Sequence, residues 1–170
     1  MIVKLEIFYK LDVEKTTDFK KVKAIAGKLL NFMNSPDIIK KIRNTDKKGA
    51  ASKQIQDILL PKTKELHFIS EKKGLFKDYL TTGLRPDYFN EELGILIEVE
   101  RGKTTTNNMD LLDIWKCHIC KEANYLFLIV PQLREAQNKQ EFNIVVKRVS
   151  SFFKHKENHI NIDGVFVFGY

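Results

Sequence analysis

Residues 85–103 read RPDYFNEELGILIEVERGK and decide our interpretation of the fold. The polar residues 90–92 separate two short apolar runs, which predicts a hairpin of two strands. In a strand over residues 94–100, successive side chains point to opposite faces, so Glu98 and Glu100 share one face. The hairpin would bring Asp87 alongside that face. The segment therefore predicts a patch of three carboxylates on a β-sheet.

The chain before this hairpin predicts one strand and a group of helices. Residues 2–8 alternate between apolar and charged side chains, as in a strand. Apolar residues at helical spacing predict three helices between residues 18 and 61, the first capped by Asp18 and the last ended by Pro61. From residue 66 the period changes to two, through LHFIS and GLFKDY, which predicts a strand before the hairpin.

The chain after the hairpin alternates helices and strands. A polar run over residues 104–110 is suited to begin a helix whose apolar stripe we predict at Met109, Leu112, Trp115 and Ile119. Residues 125–131 and 164–170 are apolar runs typical of buried strands, and a helix lies between them. We therefore predict one α/β domain over residues 1–170, with a central mixed β-sheet flanked by helices. Within it, residues 18–61 are a helical N-terminal part and residues 62–170 an α/β catalytic core.

Composition excludes several classes of protein. The chain is 43% hydrophobic and 11% aromatic, which excludes a disordered polymer. No apolar run approaches the ~20 residues of a membrane helix, so we expect a soluble, cytoplasmic protein without a membrane partner. Cys117 and Cys120 are too few for a disulfide framework, and we interpret them as buried small side chains instead of zinc ligands. No glycine-rich phosphate loop is present, so we expect no nucleotide cofactor.

Charge and carboxylates together point to chemistry on a polyanion. Lys and Arg number 29 against 22 Asp and Glu, a formal net charge of +7, which favours nucleic acid as a partner. Converging carboxylates repel each other unless protons or a cation neutralise them, and Mg²⁺ prefers oxygen ligands. The alternative is that Glu98 and Glu100 line the solvent face of an amphipathic edge strand.

The hairpin resembles the signature of the PD-(D/E)xK nuclease superfamily. Pro86 and Asp87 match its first half, and Glu98-Val99-Glu100 matches its second half except that Glu100 stands where the lysine is usual. Some type II restriction endonucleases of that superfamily have the same ExE variant. The family's order of helix, three-strand meander, helix and strand also matches residues 50–131. The resemblance implies a restriction-endonuclease-like core.

The resemblance also implies roles for particular residues. Asp87 and Glu98 would be metal ligands, with Val99 in the metal site, and the cofactor would be Mg²⁺, for which Mn²⁺ can substitute. Glu100 would accept a proton in place of the lysine, and Lys103 would restore a positive charge near the scissile phosphate. Glu65 is a further acidic candidate, for which the alternative is a surface charge.

Basic and polar residues around the hairpin are candidates for DNA contact because their side chains suit phosphates and base edges. For the polar run the alternative is ordinary helix capping, which Asn108 fits best, and His118 is open between a DNA-facing and a plain surface position. The predicted DNA-binding residues are Arg85, Arg101, Lys103, Thr104, Thr105, Asn107, Asn108 and Lys116.

The first functional hypothesis is a Mg²⁺-dependent DNA endonuclease similar to type II restriction enzymes. Cutting both strands of a duplex with one site per chain implies a homodimer. The helical part over residues 18–61 is the best candidate for dimerisation or for added DNA contacts. One alternative is a structure-specific nuclease of recombination or repair. Another is a DNA-binding protein without catalysis, whose carboxylates are structural.

Overall fold

Alternating and continuously apolar segments form a six-stranded sheet in the computed structural model, which describes residues 2–46, 51–79, 83–102, 104–134, 138–154 and 159–170. The order across the sheet is β1-β6-β5-β4-β3-β2. The three central strands, β4, β5 and β6, are parallel to one another. β1 pairs antiparallel with β6, β3 with β4, and β2 with β3. The strands are β1 (Lys4–Tyr9), β2 (Ile69–Ser70), β3 (Tyr88–Asn90), β4 (Ile95–Val99), β5 (Tyr125–Val130) and β6 (Gly164–Gly169).

Helices cover both faces of this sheet. The helices are α1 (Thr17–Met33), α2 (Pro36–Thr45), α3 (Ser52–Glu65), α4 (Met109–Ile119) and α5 (Glu141–Lys154). Side chains of α1, α2 and α3 share one core with Ile95, Ile97 and Val99 of β4, while α4 and α5 share a second core with Leu96. This alternation along β4 confirms the predicted mixed sheet with helices on both sides. None of the described helices is long and apolar enough to cross a membrane.

Two predicted helix signals are wrong in position. The N-cap of α1 is Thr16, whose hydroxyl accepts a hydrogen bond from the Phe19 N–H, so the helix begins before the predicted cap Asp18. Pro61 lies inside α3 and does not end it. Pro61 is exposed, while the buried Leu59 and Thr63 beside it pack into the protein. Burial of that face keeps the helix going despite the hydrogen bond that proline removes.

The predicted strand through GLFKDY is also wrong. Gly74 has a φ of +84°, which breaks the extended backbone, and Lys77–Tyr79 form a single 3₁₀ turn. Phe76 is buried in the core under α4 and holds this turn against the sheet. Only Ile69–Ser70 of the predicted period-two stretch form a strand.

The phase predicted for α4 is wrong as well. Leu112 and Trp115 of the expected apolar stripe are each 50% exposed, while Asp110, Asp113 and Cys117 are buried. The helix is rotated because its inward face combines apolar contacts of Ile114 and Cys117 with the ion pairs of Asp110 and Asp113. This rotation brings charged side chains of α4 over the sheet.

Gly94 lies at the turn that leads into β4, and its substitution tests whether this turn requires glycine. Its φ is +61°, and a Cβ there would lie 2.7 Å from the Glu122 carbonyl oxygen. We expect Gly94→Ala to lower the free energy of unfolding by about 2–4 kcal/mol, because both the backbone and the contact become strained. Urea denaturation measures the loss.

Gly27 provides the matched control. It lies within α1, and no neighbouring atom is within 4 Å of the position that a Cβ would occupy there. Gly27→Ala should raise the free energy of unfolding by about 0.5–1 kcal/mol through helix propensity. Equal effects of the two substitutions would contradict the strain assigned to Gly94.

Candidate active site

The antiparallel pairing of β3 and β4 places Asp87 opposite Glu98. Tyr88 is paired with Ile97, so the same register continued by one residue sets Asp87 beside Glu98. The Val99 N–H donates to Asp87 Oδ2 at 2.7 Å. This hydrogen bond turns the Asp87 carboxylate toward the end of β4. The two carboxylates predicted as metal ligands are therefore neighbours.

Helix α4 covers Glu98 with a lysine and an aspartate. Lys116 Nζ lies 2.7 Å from Glu98 Oε1 and 3.4 Å from Asp113 Oδ1. All three side chains are largely withdrawn from solvent, with exposed side-chain fractions of 14% for Lys116, 5% for Glu98 and 2% for Asp113. An ammonium group thus stands inside the carboxylate cluster.

The backbone of Glu100 is fixed on both sides, directly after β4. Its N–H donates to the Ile129 carbonyl at 2.8 Å, and its carbonyl accepts from the Tyr170 hydroxyl at 3.0 Å. Burial, followed by the charges of Asp113 and Asp87, raises the pKa of Glu100 to about 8. Glu100 therefore belongs to the same electrostatic cluster as the predicted ligands.

One ammonium does not balance the surrounding carboxylates. Burial, and next the charge of Asp113, raises the pKa of Glu98 well above its usual range. Burial also raises the pKa of Asp113 to about 6, against the opposing charge of Lys116. For Lys116, burial lowers the pKa, but the charges of Glu98 and Asp113 outweigh it and the pKa lies above the ordinary value. If all its carboxyl groups were ionised, the cluster would have an excess of negative charge, and the raised pKa values mean that protons offset this excess in the absence of a cation.

The ionisation of Asp87 depends on groups of two neighbouring elements, β4 and α3. Burial raises its pKa, while hydrogen bonds from the Val99 N–H and the Gln56 side chain, together with the charge of Lys116, act in the opposite direction. Gln56 lies on α3 and is buried. These donors favour the ionised form, the form that binds a cation, but burial outweighs them and the pKa of Asp87 lies above its ordinary value.

The raised pKa of Glu100 predicts the pH dependence of stability. In metal-free protein the folded state keeps a proton on Glu100 up to about pH 8, whereas the unfolded chain releases it near the ordinary pKa of 4.5. Stability is therefore lost as pH rises through that window. We expect Glu100→Gln to raise the free energy of unfolding at pH 8.5 by on the order of 2 kcal/mol, and to have no effect near pH 4.

Urea denaturation in EDTA at the two pH values checks this expectation. Glu65→Gln is the matched control, because Glu65 is 64% exposed beside Lys62 and its removal should change stability by less than about 0.5 kcal/mol. A gain for Glu100→Gln of the same size at both pH values would contradict the titration assigned to Glu100.

The donor set fits a single hard cation held in part by water and substrate. Among the described residues, no group of three or more His, Cys, Asp and Glu side chains is arranged to hold a metal ion. Mg²⁺ in enzyme sites is commonly bound through one or two carboxylates, with waters and substrate phosphates completing its shell. Asp87 and Glu98 supply such a pair, and within the described chain Asp113 Oδ2 is buried without a hydrogen-bond partner. The residues present therefore fit Mg²⁺.

No protein-family model and no curated protein matches the sequence. Among solved structures, the chain is similar to the one described as "Crystal structure of restriction endonuclease BGLII complexed with DNA 16-mer". The TM-score is 0.53 at 14% identity, over 99% of this chain and 78% of that chain. The chain has a restriction-endonuclease-like fold. This confirms the fold class predicted from the hairpin and the order of elements around it.

Several predicted DNA contacts occupy other positions in this restriction-endonuclease-like fold. Thr104 and Thr105 are buried, and Thr105 donates to the Glu141 carboxylate, so these two hydroxyls are not on the surface. Arg101 is drawn to Asp46 at the end of α2, at 2.9 Å. Lys116 points at Glu98 instead of away from the sheet. The local sequence predicted surface positions for all four residues. Carboxylates bind Thr105, Arg101 and Lys116, and Thr104 is buried in the loop after β4.

The remaining candidates lie at or near the surface. Arg85 is 3.5 Å from Glu71, and both side chains are about half exposed. Asn107 and Asn108 are exposed; Asn108 is the N-cap of α4, but its side chain makes no capping hydrogen bond. Lys103 lies outside the described residues.

Glu65 and His118 are not brought to the carboxylate cluster. Glu65 is an exposed partner of Lys62 at the end of α3, which supports its interpretation as a surface charge. His118 Nδ1 accepts a hydrogen bond from the Asn161 N–H at 2.9 Å. Cys117 and Cys120 are buried free thiols, as predicted.

Sequence reasoning missed two residues of the site, Asp113 and Gln56. Asp110, Asp113 and Lys116 recur every third residue along α4, a spacing that places them on one face of a helix. That charged stripe was the available signal for Asp113. Gln56 has no comparable signal, since it is a single polar residue next to the apolar positions of α3.

Proposed function

We propose that this protein is a Mg²⁺-dependent DNA endonuclease. The observation that supports it is the juxtaposition of Asp87 and Glu98 across β3 and β4, with Lys116 Nζ 2.7 Å from Glu98. Two carboxylates beside a buried ammonium suit a phosphodiester, because the site combines ligands for a cation with a positive charge for the phosphate. A purely structural ion pair would need neither Asp87 nor Glu100 nearby.

Asp87 and Glu98 would hold Mg²⁺, with Val99 positioning Asp87 through its N–H. When bound, Mg²⁺ polarises a phosphate oxygen and lowers the pKa of a coordinated water. The family motif usually has a lysine where this chain has Glu100. We assign the electrostatic role of that lysine to Lys116, whose ammonium group approaches the carboxylates from α4. Its three donors can orient a phosphate oxygen or the attacking water while Glu98 retains its place on β4.

Glu100 is the proposed general base. Its pKa of about 8 applies without a metal, and the positive charge of Mg²⁺ bound nearby would lower it toward neutral pH, where a proton acceptor is most effective. Asp113 adjusts that pKa through its charge and is a positioning residue that acts on Glu100 and Lys116. The contacts of Glu100 with Ile129 and Tyr170 fix its backbone directly after β4, two residues from Glu98.

The proposed partner is double-stranded DNA. The net charge of +7 favours a polyanion, and the similar structure is described as a DNA complex. Cleavage of both strands by one site per chain calls for a two-fold homodimer. A type II restriction endonuclease is the first proposal. A repair nuclease of the same fold would prefer branched substrates over linear ones.

Cleavage assays with three DNA substrates test the proposal. Supercoiled plasmid, linear duplex and a four-way junction are incubated with protein and Mg²⁺, with EDTA as the control. We expect Mg²⁺-dependent cutting of plasmid and linear duplex at discrete sites. Preference for the junction would favour the repair function, and tight binding of all three without cutting in Mg²⁺ or Mn²⁺ would favour a non-catalytic DNA-binding protein.

A further inference from the structure

A pair of like charges faces each other where the chain leaves β5. Arg134 and Lys139 form an isolated antiparallel bridge, with N–H to carbonyl distances of 2.8 and 3.2 Å. Residues directly opposite in such a pair have neighbouring side chains, and like charges there destabilise the pairing. Arg134 and Lys139 therefore need an anion nearby.

Among the described residues, an anion near both cations is Glu141, at the first turn of α5. Its side chain is fully buried, and Oε1 lies 4.0 Å from Arg134 NH1 and 3.9 Å from Lys139 Nζ. Both distances exceed hydrogen-bond range, and in the described part of the chain Glu141 Oε1 has no hydrogen-bond partner. Within the part of the chain that the structure describes, this one carboxylate thus faces two cations without a hydrogen bond to either.

Thr106 completes the arrangement on the solvent side. Its hydroxyl lies 3.1 Å from Arg134 NH1 and 3.5 Å from Lys139 Nζ. Thr105 donates to the other oxygen of Glu141. The loop after β4 therefore holds both cations in place, with their side chains about one quarter exposed.

This cationic pair, Arg134 and Lys139, lies at the same edge of the sheet as the candidate active site. Strands β4 and β5 are parallel, so Glu100 and Arg134 both follow the carboxyl ends of neighbouring strands. Asp110 lies three residues before Asp113 on α4 and binds Arg148 NH1 at 2.9 and 3.1 Å. Arg148 NH2 in turn contacts the Thr105 carbonyl at 3.4 Å, which joins the pair to α4.

We infer that Arg134 and Lys139 form a phosphate-binding clamp for the DNA backbone beside the active site. The inference rests on the proposed function. A phosphate group supplies the negative charge that Glu141 alone does not, and Arg offers two donors in the geometry that matches phosphate oxygens. None of the residues predicted from sequence for DNA binding belongs to this clamp.

Salt-dependent binding of a fluorescent DNA duplex in EDTA tests the clamp without any cleavage. The slope of log K against log[salt] is about −0.9 per phosphate contacted. We expect the double variant Arg134→Gln/Lys139→Gln to reduce the magnitude of this slope by about 1.8 and to weaken binding at least tenfold at 100 mM salt, roughly the effect of two lost contacts. The single variant Lys139→Gln, which keeps a cation beside Glu141, should reduce it by about 0.9.

The matched control removes the same charge elsewhere. Lys15 and Lys121 are exposed, and their neighbours Thr16 and Glu122 line a cavity of about 260 Å³ at the opposite edge of the sheet. Lys15→Gln/Lys121→Gln should change the slope by less than about 0.3. Circular dichroism confirms that each variant is folded.

The outcomes separate the clamp from the proposed function. Equal losses in the two double variants would overturn the clamp, because net charge alone would explain them. An unchanged slope for both Arg134→Gln/Lys139→Gln and Lys139→Gln would also overturn it. Failure of the unmodified protein to bind duplex at low salt would overturn the proposed function itself.

Discussion

Glu98→Gln and Asp87→Ala should each reduce Mg²⁺-dependent DNA cleavage by on the order of a thousandfold or more. Both carboxylates stand at the paired ends of β3 and β4, and no other described carboxylate occupies their places. The amide of Glu98→Gln retains the size of the side chain and a hydrogen-bond acceptor for Lys116. Single-turnover cleavage at saturating protein measures the loss, and binding in EDTA should be retained.

Glu92→Gln is the matched control for this result. Glu92 is exposed in the turn before β4 and lines the cavity at the opposite edge of the sheet. Its cleavage rate should stay within about twofold of the parent, since a distant surface charge acts only through screened electrostatics. Undiminished cutting by Glu98→Gln or by Asp87→Ala would remove that residue from the site.

Lys116→Met should impair both cleavage and stability. The ammonium lies 2.7 Å from Glu98, and its loss should slow cleavage by about 10²–10³-fold, the usual cost of one positioned donor. Without it, Glu98 and Asp113 stay buried and lack their cation, so the free energy of unfolding at pH 8 should fall by about 3 kcal/mol. Cleavage is measured well below the melting temperature of the variant, which separates the two effects.

Lys121→Met is the control for Lys116→Met. Lys121 follows α4 and pairs with Asp78, but the two side chains are 70% and 51% exposed. Its removal should cost less than about 0.5 kcal/mol and leave cleavage unchanged. If Lys116→Met cleaves within about threefold of the parent, the ammonium is structural, and the charge needed at the phosphate comes from elsewhere.

The sequence alone was sufficient for the hairpin of β3 and β4. The period of two in β4 places Ile95, Ile97 and Val99 on one face of the sheet and Leu96 and Glu98 on the other. The first three lie in one apolar core, and Leu96 lies in the core on the opposite face. The register of Asp87 follows because the turn between the strands is short. Both inferences rest on local geometry, which a strand imposes on any sequence.

The environment of the hairpin could not be predicted in the same way. An apolar stripe normally marks the buried face of a helix, but α4 buries Asp113 and leaves Trp115 half exposed. Its orientation depends on the ion pair of Lys116 with Glu98 and on the apolar contacts of Ile114 and Cys117, and these partners are distant in the sequence. The same reason applies to Thr105, whose partner Glu141 lies 36 residues away.

Helix α3 is connected to the site through Gln56. The Gln56 carbonyl accepts a hydrogen bond from the Tyr88 hydroxyl at 2.6 Å, and the Gln56 side chain acts to lower the pKa of Asp87. A local opening of α3 would therefore release the residues at the start of β3 and disperse the ligands. Amide protons of α3 and β3 should then exchange with solvent as one cooperative unit. The proposed activity would then depend on the local stability of this helix, and it would be lost below the temperature of global unfolding if α3 opened first.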